Sequence, residues 1–470
     1  MEEQQNISSR PATPRRRKPS PMQIFKERQL PLIVLGIAAV LIVTIIAGSI
    51  TRAVQRKQIA TEASLAAAEE EARIHREYQD ILVQTEFMAM EYNYQEAIAL
   101  IDSFSGKISD FPELAEKRAE YEAADAQLVT WNDPNIIVNL SFHMLIADPV
   151  RAFGDEEYGN SIRKNYITTT EFSNILEQLY SNGYVLVNPA DLTTTVTDDN
   201  GNTVYTAANL RLPAGKTPII ITQTNVNYDR YLVDGDEDGI ADKDGSGFAC
   251  KLVLDSDGSV VNEYVDASGK TLTGNYDLIP ILDDFVAEHP DFSYNGAKAV
   301  IALTGHQGLF GHRTSAEHKE TFGEAAHAQA VADATAVAEA LIANGYELAY
   351  YTYSNSAYGS KDADYIRKDM ELWAQEVTPI IGPVDTIAFA QKSDITEGLI
   401  YMGDKHAVLQ EAGFDYYLGF CNDGEPWAIV VDDYIRQGRI LVGGSALNNN
   451  ESWFSGMFDA DTVIDKEARG

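Results

Sequence analysis

The chain has 470 residues, 45% hydrophobic and 10% aromatic, enough apolar material to bury a sizeable core beyond any anchor. Lysine and arginine number 36 against 71 aspartates and glutamates, a formal net charge of −35. Residues 1–57 hold ten basic and three acidic side chains, leaving 26 and 68, a net of −42, for the remainder; a surface that acidic excludes nucleic acid as a partner and repels anionic lipid and acidic wall polymers, whereas a neutral or cationic glycan is not repelled.

The first 29 residues include SSRPATPRRRKPSPMQ, proline-rich and basic, which predicts a disordered tail. Leu30–Ile50 follows, an uncharged apolar run of the roughly 20 residues a helix needs to cross a bilayer. Arg10, Arg15, Arg16, Arg17, Lys18, Lys26 and Arg28 precede it, and only Arg52, Arg56 and Lys57 follow before the acids begin. That asymmetry places the N-terminus in the cytoplasm and everything after residue 50 outside, in a single-pass plasma-membrane protein. The run is longer than the roughly 7–15 apolar residues of a cleaved signal peptide, so an uncleaved signal anchor is predicted.

Residues 51–130 read as a helical stalk rich in alanine and glutamate, with further helices at Tyr94–Ile101 and Ala115–Leu128 and breaks at Gly106 and Pro112. It has the outline of a tetratricopeptide-like hairpin. A single such repeat is short of the roughly three that a stable array needs, so a spacer is expected.

The body, 131–470, alternates apolar strand-like runs with amphipathic helices. The strands expected are Ile136–Phe142, Tyr184–Asn188, Pro218–Thr222, Ala299–Thr304, Leu348–Tyr353, Thr386–Ala390, Tyr416–Phe420 and Ile440–Gly443. Between them lie helices such as Glu171–Ser181, Leu278–Glu288, Ala325–Ala343 and Lys361–Glu376. The pattern predicts an α/β fold, a parallel sheet flanked by helices and either closed as a barrel or left open. Asp198–Gly201 and Asp255–Gly258 are the turns of inserted β-ribbons. Two cysteines, Cys250 and Cys421, make no disulfide framework and are expected as small buried hydrophobes.

Four stretches in this order, Ser141–Ile146 (SFHMLI), Ile219–Tyr231, Tyr276–Gly305 and Gly345–Asn355, resemble the polysaccharide deacetylases with a NodB-homology domain. The resemblance implies a distorted (β/α) barrel. It also implies a divalent metal held by one aspartate and two histidines, with a second aspartate as general base. Carried onto this sequence, the acid pair falls on Thr224 and Asn225, in a register set by Val226-Asn227-Tyr228; the histidines fall on Tyr351 and Asn355, after Gly345-Tyr346-Glu347. A third signature meets Phe389-Ala390-Gln391-Lys392 and also departs. None of the four replacements supplies a carboxylate or an imidazole. The expectation is therefore a divergent member with no cofactor at the family metal site and no metal catalysis, a pseudoenzyme of the cell envelope that binds a wall or surface glycan. Two alternatives stand beside it: an active carbohydrate esterase with displaced ligands among His143, His306, His312 and Asp229, and a protein-interaction scaffold.

His143, Tyr228, Tyr231, Tyr353 and Trp427 lie near strand ends and suit a sugar, since an aromatic side chain offers an apolar face and a polar edge. His306, His312, His318 and His327 crowd one segment at spacings that match no compact metal loop, and are expected to bond locally. The inserted loop 233–247 places Asp234, Asp236, Asp238, Ile240 and Asp242 on the calcium-loop plan, but Gly245 stands where a bidentate acid belongs. It reads either as a weak Ca²⁺ site, with a dissociation constant on the order of 10⁻⁴ M, or as a solvated acidic insertion.

Overall fold

In a computed structural model the described residues are 21–131, 137–207, 210–234, 241–396, 398–421, 425–449 and 451–470, with side chains described from residue 32 onward. The chain divides into two compact units, Met1–Gln79 and Asp80–Gly470. The first consists of most of helix α1 (Pro21–Met90). Its apolar portion is exposed along its length, for example at Leu35, Val40 and Ile45. By length and composition this helix can cross a membrane, a test that a signal sequence near the N-terminus also passes. Farther along, Arg73 bridges Glu70 and Glu77 at three- and four-residue spacing, as helical neighbours do.

The second unit opens with helices α2 (Tyr94–Asp102) and α3 (Pro112–Asp125). Ala97, Ile101, Leu114 and Tyr121 are buried in this hairpin. Pro112 sits in the first turn of α3, where a missing N–H costs nothing, so it starts a helix as well as ending the preceding turn. Arg211 donates to the Asp125 carboxylate at 2.9 Å.

Seven strands form a closed barrel: β1 (Val138–Phe142), β2 (Thr217–Thr224), β3 (Val300–Leu303), β4 (Glu347–Tyr350), β5 (Thr386–Ala388), β6 (Tyr416–Phe420) and β7 (Tyr434–Leu441). Each pairs in parallel with the next in the chain, and β7 closes on β1 in the register Arg439 to Asn139. The expected strand Tyr184–Asn188 forms over Tyr184–Leu186 and lies outside the barrel, against the first half of β2. The two ribbons form as expected around Asp198–Gly201 and Asp255–Gly258.

Side chains alternate in and out along each strand. Ile219 and Ile221 face the surrounding helices, whereas Ile220 joins Val300, Ala302, Ala349, Ala388 and Leu418 inside. Above that apolar floor comes a polar layer: Asn139 donates to Gln437 at 3.1 Å and accepts from Thr222 at 2.8 Å. Outside, the helices carry the start signals their sequences advertise. Thr168 and Glu171 form a capping box for Thr169–Ser181, and Asp277 caps Leu278–Glu288.

The last strand corrects the expectation of Ile440–Gly443. It begins at Tyr434, six residues earlier, because YIRQGRIL buries Arg436, Gln437 and Arg439 and so never looks apolar. Cys250 and Cys421 are buried thiols.

Candidate functional site

A cleft of about 470 Å³ opens at the C-terminal mouth of the barrel, and every strand end contributes to its lining. β1 supplies His143, β2 Asn225, β3 His306, β4 Tyr351 and Asn355, β5 Gln391 and Lys392, β6 Phe420 and β7 Leu441. A parallel barrel delivers this convergence by geometry, since all its strands end at the same rim. The opening turns are strained: Asn225, Asn355, Gln391 and Lys392 all adopt left-handed backbone, with φ of 66°, 49°, 55° and 52°. Asparagine tolerates that region better than most residues. Thr352, β-branched and at φ 58°, does not, and its hydroxyl accepts a bond from the Ser356 N–H at 2.7 Å.

The alternation on β2 turns Thr224 inward, where it is 1% exposed. Its Oγ1 lies 2.7 Å from Nδ1 of His143 on the neighbouring strand. Desolvation in the mouth, reinforced by the positive charges of Arg439 and Lys392, pushes the His143 imidazole down to about 4, so it is neutral near pH 7. Burial raises the Tyr351 phenol above its ordinary value. Asp229, at the cleft wall, is likewise raised by burial, against the bond it accepts from Asn227 at 2.5 Å.

Beneath this layer lies a residue that sequence reasoning missed. Arg439 is 0% exposed and, by its place on β7, points into the barrel. Its Nη2 donates to the Phe389 carbonyl at 2.7 Å and its Nε to that of Gly419 at 3.3 Å, while Nη1 is buried with no hydrogen-bond partner. The guanidinium stands 4.5 Å from the Phe420 ring centroid and 5.7 Å from that of Tyr351. Burial lowers it to about 10, which leaves it charged at neutral pH. The only sequence signal was an arginine alternating with apolar residues in a strand.

These residues do not fit the metal that the family resemblance implies. Positions 224, 225, 351 and 355 offer a hydroxyl, two neutral amides and a phenol held protonated, with no anionic donor. The guanidinium below would further repel a divalent cation. Among the described residues no three histidine, cysteine, aspartate or glutamate side chains are grouped to hold an ion. Of the displaced set, His143, His306 and Asp229 line the cleft. His312 lines a separate cavity, bonded to the Leu252 carbonyl at 2.9 Å. His318 and His327 line that cavity too, bonded to Ser315 and to the Thr314 carbonyl.

The glycan residues expected from strand-end position divide. His143 and Tyr231 line the cleft, and Trp427 lines an adjoining cavity of about 740 Å³. Tyr228 and Tyr353 correct the expectation. Tyr228 is fully buried and donates to Asp277 at 2.8 Å; Tyr353 is buried and donates to Glu376 at 2.7 Å. In the acidic insertion, Asp236, Asp238 and Ile240 lie outside the described residues. Asp234 is buried 3.6 Å from Arg230, and Asp242 accepts the Asp244 N–H at 2.8 Å.

No family model and no curated protein matches this chain. Among solved structures it is similar to a Streptococcus pyogenes deacetylase in complex with acetate, at 12% identity over 67% of this chain and 96% of that one, with a TM-score of 0.35. It is also similar to a polysaccharide deacetylase from Bacillus cereus, at 10% identity over 68% and 69%, with a TM-score of 0.31. Both likenesses are low in identity and in TM-score.

Proposed function

We propose that this protein is a membrane-anchored, extracytoplasmic deacetylase-like protein of the cell envelope that binds glycan without metal-dependent deacetylation. The observation that carries this reading is the pairing of a complete barrel-mouth cleft with a strand-end set that lacks every anionic or imidazole donor at positions 224, 225, 351 and 355. The amides of Asn225, Asn355 and Gln391 offer both donors and acceptors, which suits sugar hydroxyls. Tyr231, 38% exposed at the rim, offers a ring. The apolar helix near the N-terminus and the basic residues before it support an anchor with its N-terminus in the cytoplasm.

The test uses the full chain in detergent with acetylated amino-sugar oligomers. Binding without acetate release, in the presence or absence of zinc, cobalt, nickel or manganese, is the expected result. Metal-dependent acetate release overturns the reading. Failure to bind any glycan, together with co-purification of an envelope protein, favours a scaffold instead.

A further inference from the structure

We infer that the barrel mouth selects a glycan bearing an anionic group, a sugar carboxylate, seated at Lys392 above the buried guanidinium of Arg439. This deepens the glycan-binding reading and rests on it.

Beyond residue 57 the chain carries a net of −42, yet two cations stand here with no salt bridge among the described residues: Arg439, against the Phe420 ring, and Lys392, which lines the same spaces as Phe420. Arg439 lies 4.5 Å from the Phe420 centroid, satisfied only by two backbone carbonyls, with Nη1 unbonded. Lys392 is exposed, and with Phe420 it lines both the 470 Å³ cleft and the 740 Å³ cavity beside it, so the two spaces meet at this pair. Arg436, the third cation nearby, is matched by Asp394 at 2.8 Å and cancels it. His143 adds no charge near neutral pH. Asp229, the one acid lining the cleft among the described residues, lies towards His306 and Arg313 and accepts from Asn227.

A guanidinium out of water with no carboxylate in contact is costly, and the Asp394 charge reaches Arg439 only at longer range while paired with Arg436. An anion in the mouth offsets that cost: Lys392 makes the direct contact, and Arg439 acts from below the floor through a poorly screened interior. The acidic surface does not veto this. Its repulsion is screened beyond a Debye length of about 8 Å at physiological salt, whereas a seated anion is in contact with Lys392. A carboxylate on a sugar is the form that the rest of the mouth accommodates, with Asn355 and Gln391 for hydroxyls and the rings of Phe420 and Trp427 for the pyranose face.

The experiment is calorimetry on the full chain in detergent with a uronic-acid tetramer and its methyl ester, in which each carboxylate charge is replaced by a neutral ester. The acid form is expected to bind about tenfold more tightly or better, the equivalent of one retained charge contact. Lys392→Ala is expected to abolish the preference while the ester still binds. Arg439→Met, checked for folding by circular dichroism, is expected to reduce it. Equal affinity for the two sugars, or an unchanged preference in Lys392→Ala, overturns this inference and leaves glycan binding standing. Binding of neither sugar or any other glycan overturns the parent reading and this one with it. Displacement of the uronate by inorganic phosphate but not by acetate at equal ionic strength assigns the site to a phosphate and overturns the choice of a carboxylate.

Discussion

His143 Nδ1 and Thr224 Oγ1 face each other at 2.7 Å across the adjacent tips of β1 and β2. At the position where the family resemblance places an aspartate, the barrel holds a neutral imidazole bonded to a hydroxyl. The positive charges acting on this pair are Arg439, below, and Lys392 at the rim.

That pair predicts a pH dependence. The folded imidazole titrates at about 4, below the ordinary 6.5, so as pH falls the unfolded chain takes up this proton first. The contribution to stability is fully present above about pH 6.5 and is lost as pH drops toward 4, by at most about 1.4 kcal/mol per pH unit. Urea unfolding of the protein and of His143→Asn between pH 7 and pH 4.5 checks this; the variant is expected to lose stability less steeply. NMR is expected to show this imidazole unprotonated at pH 5.5.

Restoring acids alone is expected to restore nothing. Thr224→Asp with Asn225→Asp still lacks imidazoles at 351 and 355 and still faces the Arg439 charge. Equilibrium dialysis against zinc is expected to leave the double variant without a stoichiometric ion. Adding Tyr351→His, Asn355→His and Arg439→Met is expected to raise zinc occupancy, read by elemental analysis.

Asp277 is the pin behind the β2 tip. Fully buried, it accepts from the Leu145 N–H, the Leu278 N–H, Gln223 Nε2 and the Tyr228 hydroxyl, each at 2.8 Å. Asp277→Ala strands several buried donors and is expected to cost about 3 kcal/mol or more in urea unfolding. Asp277→Asn keeps an acceptor oxygen and is expected to recover part of that.

Tyr231 and Tyr353 separate the cleft from its surroundings. Tyr231→Ala is expected to weaken oligosaccharide binding about tenfold, within the range a lost ring contact explains. Tyr353→Phe deletes the bond to Glu376 outside the cleft. It is expected to lower stability by about 1 kcal/mol and leave the binding isotherm unchanged.

The barrel itself was legible in the sequence. Six of its seven strands coincide with apolar runs of β-branched and aromatic residues, because a strand buried on both faces is apolar nearly throughout, and only the end of the seventh, from Ile440, does. The helix starts were legible for a local reason too: a cap such as Thr168 or Asp277 acts within three residues of itself. The altered tip residues could be read from motif order alone.

What only the tertiary structure decided was which side chains meet. Tyr228 and Tyr231 stand three residues apart, yet one is locked onto Asp277, 49 residues away, while the other lines the cleft. Arg439 resisted a sequence reading because its role depends on the parity of β7 and its closure against β1, 300 residues earlier in the register of Arg439 with Asn139. Periodicity is a property of neighbours in the chain and survives in a single strand. A counter-charge, a floor or a cleft is a property of closure, and exists only once seven strand ends share one rim.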